Sequence, residues 1–395
     1  MKSTLLMQLL NLPARIRLRH HPHTVSLLLL IGITATECPA AGRWPRRTPG
    51  PDAAPHVTLR RFARAHDFAR PRPDANEVIL RNDRHEVRLQ LDSRLARVNG
   101  VTVWLHQPVI QHRRNWLIAE TDVQRVLNPI LRPAEAVAGV GHRVILLDPG
   151  HGGSDTGGRS PHGLLEKELV LEISRKVADQ LGAMGMEVHL TRTTDTTLSL
   201  EQRVQQAAEI GADLFVSIHL NTAANTGAHG TETFVLTAGG EPSTSNQDNG
   251  SFPPATPANE FDAANQLLGY FIQRNVLHSA GNLDRGLRRS RFRVLREAVC
   301  PAVLVECAFL THPEEEQKLK DPAYREKLAQ GISNGIREYL RECRLPPTAD
   351  RRLLLPPVRA GRLAGGLTEA TGEGLDGAEA AFLGDGRHAG GVASP

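Results

Sequence analysis

Residues 143–153 read Arg143-Val144-Ile145-Leu146-Leu147-Asp148-Pro149-Gly150-His151-Gly152-Gly153. Four consecutive aliphatic residues running into a polar, glycine-rich exit describe a strand buried on both faces, the pattern of a parallel sheet. The chain beyond it keeps that rhythm. Residues 166–184 carry Leu169, Val170, Ile173, Val177 and Leu181 at amphipathic-helix spacing, and residues 187–191 form a second strand. A second helix is predicted over 200–210, stopped by Gly211, and a third strand over 214–218. A late strand over 302–305 and a closing helix over 324–340 complete the pattern. Alternation of this kind predicts an α/β domain over 143–341, its mixed or parallel sheet covered by helices on both faces. Ligands of such sheets bind beyond the carboxyl ends of the strands.

Three of these strands end in ionisable residues. The first exits into His151, the third into His219 within Ser217-Ile218-His219-Leu220-Asn221, and the late one into Glu306. Glu166 opens the helix after the first strand. Two imidazoles and a carboxylate form a three-ligand set that leaves the fourth position of a zinc ion open for water, and a further carboxylate is then available as general base. Taken singly, His219 reads equally well as a satisfied core histidine, and Glu166 as a carboxylate favoured at a helix N-terminus. Glu306 is harder to explain away, because a carboxylate directly after an apolar strand is costly unless it is paired or near a metal. The glycines between Gly150 and Gly158 lack the Lys-Ser/Thr pair of a phosphate loop, and the chain has neither an HExxH helix nor a GxSxG elbow.

Outside this region the composition shifts. Residues 1–41 place a basic stretch (Lys2, Arg15, Arg17, Arg19) before a short apolar run at 25–35 and small residues around Cys38. That order predicts an export signal, and the run is about half of the roughly 20 residues that a membrane span needs. Residues 42–76 read as a Pro/Arg-rich linker. Over 77–135 the alternation of Val87, Leu89 and Leu91, then Val101, Val103 and Leu105, about the hairpin signal Asn99-Gly100, predicts a smaller β-rich N-terminal domain. A strand at 115–119 follows, and Thr121-Asp122 offers a helix cap. A Ser/Asn/Pro-rich insert at 239–258 reads as a surface loop, and 345–395 as a disordered tail rich in Gly, Ala and Pro.

In the 395-residue chain, Lys and Arg outnumber Asp and Glu over residues 1–142, and the balance reverses afterwards. The pI near 9.0 therefore reflects a basic front rather than a basic stripe. With 4% aromatic residues there are few platforms for stacking bases, which argues against a nucleic-acid partner. Four cysteines exclude a disulfide scaffold. Cys300 and Cys307, flanking the late strand, read as small buried hydrophobes, with a disulfide open to them after export. His189 reads as packed in its strand, and His229, His278 and His312 as surface residues.

At these residues the sequence resembles the zinc-dependent N-acetylmuramoyl-L-alanine amidases of bacterial cell walls, over about half the chain. The markers, in order, are residues 147–153, Glu166-Lys167, Leu190-Thr191-Arg192, residues 217–221, Asp284-Arg285-Gly286-Leu287 and residues 301–306. The resemblance implies that His151, Glu166 and His219 hold zinc, that Glu306 is the catalytic carboxylate, and that Asn221 and Arg285 are candidate substrate contacts. The implied substrate is peptidoglycan, cut between N-acetylmuramic acid and L-alanine by an exported protein of the periplasm or cell wall. Relatives usually carry Asn at the position of His312, which puts the geometry of that loop in question. The N-terminal domain weakly resembles the small β modules found beside wall hydrolases, and the basic front suits anionic wall polymers. Two other readings stay open: a zinc peptidase acting within the stem peptide, and a non-catalytic wall-binding protein.

Overall fold

A computed structural model describes residues 55–137, 144–244 and 252–344. The expected export signal and C-terminal tail lie outside these residues.

The N-terminal part starts earlier than its sequence suggests. Strand β1 (His56–Thr58) runs into helix α1 (Leu59–Ala65), where the Thr58 hydroxyl accepts from the Arg61 amide as N-cap. Leu59, Phe62 and Ala63 are buried, so the linker expected over 42–76 is replaced from residue 56 by core-forming chain. Strands β2 (Glu77–Arg81), β3 (Glu86–Gln90), β4 (Ser93–Val98) and β5 (Val101–His112) form an antiparallel meander, and β6 (Asn115–Ala119) pairs with both β5 and β1. Asn99 and Gly100 turn β4 into β5 with φ of 48° and 85°, the two left-handed residues that a tight hairpin requires. Helix α2 (Glu120–Asp122), a π-helical turn over Val123–Leu127, α3 (Asn128–Leu131) and α4 (Pro133–Val137) follow. Thr121-Asp122 is not the cap. The helix begins at Glu120, and the buried Asp122 carboxylate instead accepts from the His106 and Gln107 amides and from His106 Nδ1.

The second part runs β7 (Val144–Pro149), α5 (Glu166–Gly182), β8 (Glu187–Leu190), α6 (Leu200–Glu209), β9 (Leu214–Asn221) and β10 (Thr231–Leu236). A 3-10 turn (Pro257–Phe261), α7 (Asp262–Ala280), β11 (Asp284–Ser290), α8 (Arg293–Arg296), β12 (Ala302–Phe309), α9 (Pro313–Lys320) and α10 (Pro322–Arg344) complete it. Helix α5 buries the five aliphatics that its spacing singled out, and α6 starts at a reciprocal capping box between Ser199 and Gln202. Strands β8, β7, β9 and β12 lie parallel in that order, β10 runs antiparallel to β12, and β11 parallel to β10. Helices α5, α7 and α10 cover one face. On the other, Val204 and Ala207 of α6 and Val294 and Leu295 of α8 pack on Leu146, Phe215, Phe234 and Leu304. The fold is thus the mixed α/β sheet with helices on both faces that the strand pattern predicts.

Two further features depart from expectation. Strand β5 pairs in parallel with β11 through Val103 and Leu287, so both parts share one twelve-stranded sheet. The insert at 239–258 is not a free surface loop at its start. Glu241 and Ser243 are buried, Gln107 Nε2 donates to the Glu241 carboxylate at 2.7 Å, and the Thr244 amide donates to the Arg289 carbonyl.

Candidate metal centre

The first strand's exit is held from behind by buried charge. Asp148 is 1% exposed and accepts from Thr191 Oγ1, Ser217 Oγ and Arg203 Nη1 at 2.6–2.8 Å. Burial alone would raise its pKa, but the Arg203 guanidinium, with Thr191 and His219, holds it below its ordinary value. Arg203 also donates to the carbonyls of Pro149 and His151, while Arg192 donates to those of Pro149, Gly150 and Lys167. These two forks satisfy the Gly150 and His151 carbonyls of a non-repetitive turn and tie it to the first turn of α5 through Lys167. The turn places His151 in the left-handed region at φ 59°, a conformation that costs energy outside glycine. Gly150 is needed for space: a Cβ there would sit 2.2 Å from His219 Cε1.

The exit of β7, the first turn of α5 and β9, where His219 lies inside the strand rather than at its end, then bring three donors together. His151 Nε2 lies 3.2 Å from Glu166 Oε2, and His219 Nδ1 lies 2.9 Å from Glu166 Oε1. One ligand atom from each of the three lies within 4.8 Å of the others. Glu166 is buried at the first turn of α5, where its two oxygens also accept from the amides of Gly158 and Leu220. Burial would raise its pKa, but the two imidazoles hold it well below the usual carboxylate range. Burial likewise disfavours a charged His151, yet Asp155 and Glu166 push it up to about 10. Asp155 Oδ2 accepts from His151 Nδ1 at 2.9 Å, the carboxylate–imidazole pairing that fixes ring orientation in metal ligands. Asp155 was not singled out from the sequence, although four residues after His151 is a short reach.

Glu306 stands beside this cluster. It lies within β12 rather than at its end, opposite His219 of β9 and Glu232 of β10. Its Oε2 is buried and has no hydrogen-bond partner among the described residues. Burial raises its pKa well above the usual value, and the negative charges of Glu166 and Glu232 add to that. A buried carboxylate without a donor is costly unless a cation or a polar ligand faces it. Two imidazole nitrogens and a carboxylate fit a zinc ion whose fourth position is open, with this orphaned oxygen standing beside them.

Glu232, missed in the sequence, links the two expected substrate contacts. Its Oε1 accepts from Asn221 Nδ2 at 2.7 Å, and its Oε2 accepts from Arg285 Nε at 2.9 Å and from Arg288 Nη1 at 2.6 Å. Burial would raise its pKa, and Arg288 and Arg285 pull it below its ordinary value. Arg285 also lies over the Phe309 ring at 4.7 Å.

The remaining candidates lie elsewhere. His189 is not packed but largely exposed, and bonds Glu187. His312 is the N-cap of α9, with its side chain accepting from the Glu315 amide, and it stacks on His229. Cys300 and Cys307 are buried free thiols, not a disulfide; burial pushes Cys300 up to about 12.

A three-donor cluster next to an unpartnered buried carboxylate is the arrangement of a metallohydrolase. The family described as N-acetylmuramoyl-L-alanine amidase matches residues 145–338. The chain is 37% identical over 198 residues to the amidase LytC of Bacillus subtilis, covering 50% of this chain and 35% of that protein. It is 34% identical over 244 residues to the amidase AmiA of Escherichia coli, covering 56% of this chain and 84% of that one. Among solved structures, the amidase AmiC2 of Nostoc punctiforme is 31% identical over 51% of this chain and 99% of that chain, with a TM-score of 0.43. The chain belongs to the N-acetylmuramoyl-L-alanine amidase family.

Proposed function

We propose that this protein is an exported zinc-dependent amidase that hydrolyses the bond between N-acetylmuramic acid and L-alanine in peptidoglycan. The observation that carries the reading is the orphaned Glu306 carboxylate beside the His151, Glu166 and His219 donors. His151, Glu166 and His219 would hold the ion, oriented by Asp155 and by the Arg192 and Arg203 forks. When bound, zinc supplies Lewis acidity toward water and toward the scissile carbonyl. Glu306 takes a proton from the attacking water as its oxygen bonds to the lactyl carbonyl carbon. It passes that proton to the L-alanine nitrogen as the C–N bond breaks, leaving a lactyl carboxylate and a free stem peptide. Asn221 and Arg285, tied together through Glu232, face the substrate as orienting groups. The basic N-terminal region adheres to anionic wall polymers. Among the described residues, no helix is long and apolar enough to cross a membrane.

Mass spectrometry of purified peptidoglycan after digestion tests this. The reading requires a new amino group on L-alanine together with intact lactyl groups on the glycan. New termini within the stem peptide would instead identify a peptidase, and undigested wall that retains the protein would identify a binding protein.

A further inference from the structure

The strand that carries Arg285, β11, is flanked by β5 of the N-terminal part. The β5 backbone lies so close to β11 that a Cβ on Gly286, itself at φ 95°, would meet Thr102 Cγ2 at 2.7 Å and the Thr102 carbonyl at 2.9 Å. The Thr102 amide donates to Asp284 Oδ2 at 2.6 Å, on the other side of Arg285. Trp104 Nε1 donates to the Arg285 carbonyl at 3.0 Å, and the Arg288 guanidinium lies over the Trp104 ring at 5.4 Å. Arg289, fully buried, returns a hydrogen bond to the Trp104 carbonyl and another to Gln266. Trp104 therefore touches the backbone of one arginine and the side chain of the other, and both arginines meet at Glu232 Oε2. Glu232 in turn holds Asn221 and faces Glu306 across the β10–β12 ladder.

We infer that Trp104 is a positioning residue for substrate, and that the N-terminal module shares in reading the stem peptide rather than serving only as a wall-binding appendage. The inference rests on the amidase reading and extends it. An indole ring is suited to this task because its N–H fixes the Arg285 backbone while its face limits where Arg288 can swing. A module that only adhered to wall would have no need to contact β11 at the residues next to the site. Its influence would vanish on a soluble fragment too small to reach it.

The test is steady-state kinetics on a soluble muropeptide, a single disaccharide bearing its stem peptide. Trp104→Phe keeps a ring and removes the N–H. Trp104→Tyr removes the same donor with a bulkier ring, so either variant that keeps the wild-type thermal midpoint answers the question. Gln107→Ala, which cuts a different contact between the module and the second part, is the control. The expected result is a roughly five- to tenfold rise in KM for the Trp104 variants, the size of one lost hydrogen bond to a positioned group. Their kcat should stay within about twofold, as expected for lost ground-state binding, and Gln107→Ala should match the wild type. Unchanged KM in the Trp104 variants would overturn the inference, as would an equal rise in Gln107→Ala, which would mean general loosening. A wild type that leaves the fragment uncut would overturn the amidase reading itself.

Discussion

Glu306 and His219 stand directly opposite each other in the parallel register of β12 and β9. Residues opposed in this way share a face of the sheet, so a carboxylate without a donor is set beside an imidazole held by Glu166.

Replacing the carboxylate without changing its shape separates proton transfer from metal binding. In Glu306→Gln, peptide release is expected to fall by about 10²- to 10⁴-fold, the usual worth of a general base. Zinc content measured by atomic spectroscopy should remain one per chain. Near-wild-type release with zinc in place would assign the base elsewhere.

The loop behind the ligands depends on Arg203. Arg203→Met leaves Asp148 buried without its cation, and breaking such a pair costs roughly 3–5 kcal/mol. Urea unfolding should show a loss of that order. A change under 1 kcal/mol would mean that Thr191 and Ser217 alone satisfy the carboxylate.

Space behind His219 is the next constraint. Gly150→Ala forces a methyl into the His219 ring, so zinc affinity is expected to drop by about 10- to 100-fold, as when ligand orientation is disturbed. Calorimetric zinc titration reads this, and unchanged affinity would show that the ring relocates freely.

A pH effect is expected from the N-terminal part. His66 is buried against Asn128, and burial, aided by Arg132, lowers its pKa to about 4. The unfolded chain thus binds a proton near pH 6.5 that the folded chain refuses. The contribution of a neutral His66 is intact above pH 6.5, is lost as pH falls from there to 4, and amounts to about 3 kcal/mol at most. Chemical unfolding at pH 7 and pH 4.5 should show a smaller drop in His66→Gln than in the wild type. Equal drops would exclude His66 as a source.

The buried strands and the four residues at the sheet edge were legible because continuous aliphatic runs need little context. Glu232 was open to the same argument as Glu306, a carboxylate within an apolar strand, but its neighbours Thr231 and Thr233 masked the run. The pairing of β11 with β5 was not legible. Asp284–Ser290 is rich in charge, and the buried Arg289 donates hydrogen bonds to the Trp104 carbonyl and the Gln266 side chain, both distant in sequence. Helix α1 was hidden by three arginines, although Thr58, Leu59 and Phe62 carry its cap and buried face. His312, read as a surface residue, instead caps α9, because imidazole Nδ1 can accept the Glu315 amide.

The most direct test is anomalous diffraction at the zinc edge on crystals of the active protein. One strong peak is expected about 2 Å from nitrogens of His151 and His219 and an oxygen of Glu166. A peak bound by other side chains, or none in protein that still releases stem peptides, would contradict this.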